Sequence, residues 1–347
     1  MTIDRTAEER AARDNAPTLR ATPIRRIATL LRAGWSRDPA LTVAGCLLIV
    51  VLVVTLVGIV TDRTVITGAP AWLKPAKFAV SNAIYGFTLL WLLSHITGHR
   101  RLVRTIGVVT ASILVAEQAI IVVQAGRGTM SHFNVSTSLD AALYLAMGVM
   151  IALVLLAGVI VAVLLSLQQL PNPAFTWALR LGATLSVVGM SVAYFMVQPT
   201  ADQLATAANG SRPTIIGAHS VGVADGGPGL PILGWSTVGG DLRVPHFFGL
   251  HGLQVLLVAG YLISRRLRGW PNRNQVALVW VVGLSYLGLV VLLTWQALRQ
   301  QPVLAPDTIT VIAATALFGI TGFLASTIAA DARRHRLADK RRSVAVT

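Results

Sequence analysis

Eight stretches dominated by apolar residues follow one another along the chain, near 40–60, 77–97, 105–124, 139–166, 176–198, 246–264, 276–296 and 308–329. Runs of about twenty residues, rising about 1.5 Å each, are long enough to cross the roughly 30 Å hydrocarbon core of a bilayer. Inside lipid every backbone N–H and C=O must be satisfied within the protein, which makes each run a helix. The pattern therefore predicts an all-α polytopic membrane protein with eight transmembrane helices. The first run is too long for a signal-peptide core and has no small-residue cleavage site, so it reads as an uncleaved anchor.

The polar intervals are unequal. Those at 98–104, 167–175 and 265–274 are short, basic or proline-containing, and read as turns; those at 61–76, 125–138, 199–245 and 297–307 are longer and share the opposite side. Function carried on loops is expected on that side. The 199–245 interval holds eight glycines between Gly217 and Gly240, with Asp225-Gly226-Gly227-Pro228-Gly229 as a turn cluster. It reads either as a lid with ligand-facing backbone or as a passive connector.

Ahead of the first run, residues 1–21 mix Arg with Asp4, Glu8, Glu9 and Asp14 and read as a disordered tail. From Thr22 and Pro23 onwards, Ile24, Ile27, Leu30, Leu31 and Trp35 recur at helical spacing between Arg25, Arg26 and Arg32. That predicts a short helix lying on an anionic membrane surface. The chain divides into a basic cytoplasmic tail with this interfacial helix (1–38), a first four-helix half (39–170), a second four-helix half with the long loop (171–329) and a basic cytoplasmic tail (330–347).

Composition agrees, at 54% hydrophobic and 12% charged residues, where soluble domains carry about twice that charged fraction. A net charge of +15 would suggest nucleic acid in a soluble protein, but its distribution excludes that partner. Twenty-two of the 29 Lys and Arg fall on the side of the termini, the cytoplasmic excess of a bacterial inner-membrane protein with both termini inside. The lipid bilayer is the expected partner. Cys46, the only cysteine, lies inside the first run, which leaves no disulfide, haem-attachment motif or thiolate metal site.

A faint duplication runs through the pattern. At a constant offset of 169, Leu73, Lys74, Lys77, Phe78 and Asn82 fall on Leu242, Arg243, His246, Phe247 and His251. The third and seventh runs close on Gln124-Ala125-Gly126-Arg127 and Gln296-Ala297-Leu298-Arg299, at an offset of 172. Two four-helix repeats of this kind would be related by an axis along the membrane normal, with a ligand site between them.

Ionisable groups inside a membrane are costly and mark functional sites. Glu117 is the only acid deep in a predicted span, and it shares a helix face with Gln124 in a polar stripe leading towards Arg127. His251 reaches a similar depth below His246, so a carboxylate–imidazole couple across the halves could transfer protons or fix a histidine tautomer for metal or haem ligation. The two histidines do not share a face and so do not form a one-ion pair. Lys74 and Lys77, two of only three lysines, could hold a phosphate or carboxylate or neutralise Glu117; alternatively Lys77 snorkels and Trp72 belongs to the aromatic belt. The candidate catalytic residues are Glu117, His251 and His132. The candidate binding residues are Lys74, Lys77, Gln124, Arg127, Asn134, Asp241, Arg243 and Gln254, and the candidate cofactor ligands are His246 and His251.

In Trp72-Leu73-Lys74-Pro75-Ala76-Lys77-Phe78, Gln124 to Asn134, and Gly222 to Gln254 with its His-Phe-Phe-Gly-Leu-His run, the chain resembles a family of bacterial multi-pass inner-membrane proteins of uncharacterised activity. The resemblance covers about a quarter of the sequence and implies localisation only. A looser likeness joins it to haem A synthases, which have eight helices in two halves; Gln124 followed by Ser131-His132-Phe133 is similar to the stretch after their third helix. Those enzymes place histidines on four even-numbered helices, whereas here the second carries Lys77 or Asn82 and the fourth and eighth carry no histidine.

The leading expectation is a membrane protein with an outward-facing polar site that binds or transforms a small anionic or lipid-like molecule. The alternative is a haem- or quinone-linked redox protein using His132, His246 or His251, with haem as the candidate cofactor. A transporter is the third reading; it needs a polar inner route, where the spans offer little beyond Arg180 and His95.

Overall fold

In the computed structural model, residues 23–345 are described; the tail expected at 1–21 lies outside them. Helix α1 (Pro23–Arg37) precedes α2 (Pro39–Thr61), α3 (Leu73–Leu93), α4 (Arg100–Gly126) and α5 (Ser138–Ser166). Then come α6 (Pro173–Met196), short α7 (Ala201–Ala208), α8 (Arg243–Arg266), α9 (Asn272–Leu298) and α10 (Thr308–Ala345). Among the described residues eight helices are long and apolar enough to cross a membrane, so the chain is an all-α polytopic membrane protein. An even number of crossings returns the chain to the end of the bundle at which it started.

Local chemistry sets several starts. Asp38 accepts from Leu41 N at 2.9 Å with Pro39 at the first helical position, and Asn172 and Pro173 repeat this at α6. The apolar side chains of α1 are exposed at Ile27, Leu30 and Trp35. Helices α3, α4 and α8 begin three to five residues before their apolar runs, because hydrogen bonding rather than hydropathy ends a helix. Lys74, Lys77, Arg243 and His246 therefore occupy the opening turns of α3 and α8.

Packing follows one scheme in each half. The first helix lies along the second (α2 on α3, α6 on α8), the third touches both, and the fourth leans on the third; α5 and α6 join the halves. Lipid supplies no hydrophobic drive for helices to associate, so close approach falls to small residues. At the α6–α8 crossing a Cβ on Gly189 would sit 2.2 Å from the Gly249 carbonyl carbon. At the α2–α3 crossing, the rings of Phe87 and Trp72 instead press on Gly45 and Gly58. Leu41, Leu92, Leu165, Leu179 and Leu253 form a core shared by both halves, while Val50, Val53, Val57 and Val60 of α2 face outwards, where lipid is expected.

The ends of α4 and α9 close alike at the offset of 172. Gly128 and Gln300 both take positive φ (69° and 62°). Thr129 N donates to Gln124 O at 3.0 Å, and Gln301 N to Gln296 O at 3.2 Å. The Gln124 and Gln296 amides then reach the carbonyls of Met130 and Pro302, and Arg127 and Arg299 pair with Asp140 and Asp307. The starts of α3 and α8 differ by 170 rather than 169 residues, which sets Pro75 against Pro245.

Candidate functional site

The long loop is folded rather than slack. Thr200 and Gln203 form a capping box that starts α7, and the Gln203 side chain then bonds Gly217 twice, accepting from its N and donating to its carbonyl. Strand β3 (Ser220–Val221) pairs with β4 (Gly240–Asp241) directly before α8. The loop also crosses to the first half: Ile215 bridges Asn134, and a Cβ on Gly68, in the hairpin of β1 (Val65–Ile66) and β2 (Ala69–Pro70), would lie 2.4 Å from Gly226 O. At that contact Gly68 and Gly226 take φ of +72° and +91°, a region closed to most side chains.

Over the openings of α3 and α8 the loop presents two successive carbonyls. Lys77 Nζ donates to Leu233 O at 3.1 Å, and Arg243 Nη2 donates to Gly234 O at 2.6 Å. Both cations lie within 4.0 Å of the point where a Gly234 side chain would begin, so they share one small space although they come from different halves. Arg243 also clamps the fully buried carboxylate of Asp241, at 2.9 and 2.5 Å. Lys74 has no ion pair among the described residues; its ammonium stands 5.8 Å from the Phe78 ring. Neither N-cap residue, Trp72 or Leu242, supplies a side-chain acceptor, and neither first turn contains an acid. Cations at a helix N-terminus oppose the macrodipole, so both openings concentrate positive potential.

Facing them is Glu117, 2% exposed, with Oε1 3.9 Å from His132 Nε2. His132 packs against Phe78 with the rings tilted by 54° and lies 3.1 Å from Ser131 Oγ through Nδ1. Burial, and then the charges of Lys74 and His219, hold His132 well below its ordinary 6.5. His219 Nδ1 meets Asp225 Oδ2 at 2.7 Å. Burial lowers the pKa of His219 against the raising effect of Asp225, with Lys74 and Arg243 adding to the decrease. Burial would raise Asp225, but the hydrogen bond and charge of His219, with the amides of His219 and Ser220, hold it below the usual carboxylate range. His246 Nδ1 sits 2.8 Å from Gly189 O, at the glycine crossing.

Lys74, Lys77, Glu117, His132, Arg243 and His246 thus gather beneath the loop, with His219 and Asp225 added. Sequence reading missed His219 and took Asp225 only as turn chemistry; their separation by six residues in a glycine-rich stretch gave no periodicity to notice. Other candidates stand apart. Gln124 and Arg127 contact each other and share Asp140, at 2.8 and 2.7 Å, and so fasten α4 to α5. Asn134 is used within its own loop by Thr129 and Ser136. The imidazole beside Glu117 is His132 and not His251, whose ring packs on Phe247 at 4.4 Å. Gln254 reaches across the halves to Thr88 Oγ1 at 3.2 Å.

Among the described residues no three His, Cys, Asp or Glu lie close enough to hold a metal ion. His246 is tied through Nδ1 to Gly189 O, which leaves Nε2 free, and the His251 ring packs on Phe247. Compared with known proteins, the chain matches no family model, no curated protein and no solved structure.

Proposed function

We propose that this integral membrane protein binds, or chemically transforms, a small anionic or lipid-like molecule at the loop-bearing end of the bundle. The observation that carries the reading is the pair Lys77 and Arg243, contributed by different halves and capped by the adjacent carbonyls of Leu233 and Gly234. A carbonyl is a neutral acceptor; a phosphate or carboxylate would make shorter, roughly twice as strong charge-assisted bonds to the same donors. Lys74, which makes no ion pair among the described residues, and the two helix openings add to the same attraction. In this reading the turn at 232–235 is a lid that an anion displaces. Glu117 and His132 stand at 3.9 Å, close enough to tighten into a proton-transferring pair once a ligand fills the space.

The excess of Lys and Arg on the side of the termini supports a bacterial inner-membrane location with both termini cytoplasmic and the site facing outwards. The matched ends of α4 and α9 support two halves of common origin. The test is titration of the detergent-purified protein with a short-chain phosphatidic acid and, separately, inorganic phosphate. Lys77→Gln is expected to weaken binding roughly tenfold, the worth of one charge-assisted hydrogen bond. Equal affinity in wild type and variant would overturn the assignment.

A further inference from the structure

Helix α1, expected from its spacing to lie on a membrane surface, touches the bundle at the end opposite the loop and takes no part in the anion site. With 3.6 residues per turn, Ile27, Leu30, Leu31 and Trp35 fall in one sector of α1 about 140° wide. All four are exposed. Arg26 and Arg37 flank the sector on one side, and Arg25 and Arg32 on the other. These arginines are exposed too, and they make no ion pair among the described residues. Thr29 stands at the middle of the opposite face.

Gly34 lies inside the apolar sector and fixes where it points. A Cβ on Gly34 would sit 2.9 Å from Thr42 Oγ1, in the first turn of α2, and 3.4 Å from Leu90 Cδ2, in the last turn of α3. Both helices are membrane-crossing, so the sector faces back towards the lipid-embedded bundle and Thr29 faces away from it. The corner between α1 and α2 is held as well. Asp38 N donates to Gly34 O at 2.9 Å, and Asp38 Oδ2 lies 1.9 Å from the place of a Cβ on Gly107 of α4. These contacts stop α1 from rolling. Ile27, Leu30 and Leu31, up to two turns before Gly34, stay exposed on the side that faces the bilayer. Apolar side chains flanked by cations complement a leaflet of hydrocarbon beneath anionic headgroups, and arginine is long enough to reach outwards to the phosphates.

We propose that α1 is a docking surface for an anionic lipid leaflet, the one on the side of the termini. The apolar sector enters the acyl boundary, and Arg25, Arg26, Arg32 and Arg37 take lipid phosphates. The surface shares no residue with the anion site under the loop and does not depend on it.

The full-length protein, with Cys46→Ala removing its only cysteine, carries a nitroxide label through Ile27→Cys or Thr29→Cys. It is reconstituted in nanodiscs of phosphatidylcholine with or without phosphatidylglycerol. With phosphatidylglycerol present, the label of Ile27→Cys is expected to collide with oxygen, which concentrates in lipid, and that of Thr29→Cys with a water-soluble nickel chelate. Arg32→Gln should lower the ratio of docked to free α1 about fivefold, the worth of one arginine at an anionic surface, and only when phosphatidylglycerol is present. Equal accessibility of the two labels would overturn the proposal. So would an Ile27→Cys label shielded from both reagents, as a protein partner or a second copy would shield it, or an Arg32→Gln ratio that is unaltered or altered equally in both discs. If the variants fail to fold, wild type decides: amide exchange in α1 should be slower in discs containing phosphatidylglycerol, and equal rates in both discs refute the docking.

Discussion

Replacing Gly189 by alanine puts a methyl group where α6 and α8 have no room. The new Cβ would lie 2.2 Å from the Gly249 carbonyl carbon and from Leu250 N, whereas ordinary contact begins near 3.4 Å. The helices must separate by the difference, 1.2 Å, and both atoms in the way are backbone, which cannot rotate aside. The His246–Gly189 hydrogen bond, 2.8 Å long, would stretch towards ~4 Å and cease to exist. Overpacking costs about 1–3 kcal/mol and the lost hydrogen bond about 1 kcal/mol, against a helix-propensity gain of up to about 1 kcal/mol. The expected net loss is about 1–3 kcal/mol. Gly148→Ala in α5 is the control, since nothing lies within 4 Å of its Cβ, and that change should be neutral or stabilising by up to about 1 kcal/mol. Unfolding titrations of both variants in mixed micelles measure the gap. If Gly189→Ala is as stable as Gly148→Ala, the backbone crossing, and with it the positioning of His246, is refuted.

Arg243→Gln should behave unlike Lys77→Gln. It strands the fully buried Asp241 carboxylate at a cost of about 3–5 kcal/mol, whereas Lys77→Gln leaves no buried charge unpaired and should move the thermal midpoint little; equal destabilisation would contradict the assignment. His132 and His219 are held below 6.5. As pH falls through 6.5 the unfolded chain therefore binds protons at these two positions first, and their contribution to stability declines; an unaltered slope of thermal midpoint against pH in His132→Gln would refute the burial of His132. Gly68→Ala imposes a side chain at φ +72° and against Gly226 O, a strain of about 1–2 kcal/mol. It should speed limited proteolysis within 209–237 if the hairpin really supports the loop.

Hydropathy was enough to determine the eight crossings, because about twenty apolar residues in lipid have no alternative to a helix that satisfies its own backbone. Glu117, Lys74, Lys77, Arg243 and the histidines of α8 were legible for the same reason, as ionisable groups beside or within those spans. Helix starts were less so: Leu73 and Arg243 begin helices in polar sequence, where hydrogen bonding decides and hydropathy is silent. Which groups meet was decided by tertiary structure. His132 rather than His251 stands beside Glu117 because positive φ at Phe133 and Gly128 folds the α4–α5 loop back over α4, a turn that no periodicity encodes. Gln124 and Arg127 looked like site residues, but they close a helix end on Asp140. The carbonyls of Leu233 and Gly234 over Lys77 and Arg243, and the pairing of His219 with Asp225, depend on a loop crossing from one half to the other. Local sequence fixes whether a segment can lie in lipid, but a contact between residues more than 150 positions apart exists only once the helices that carry them are packed.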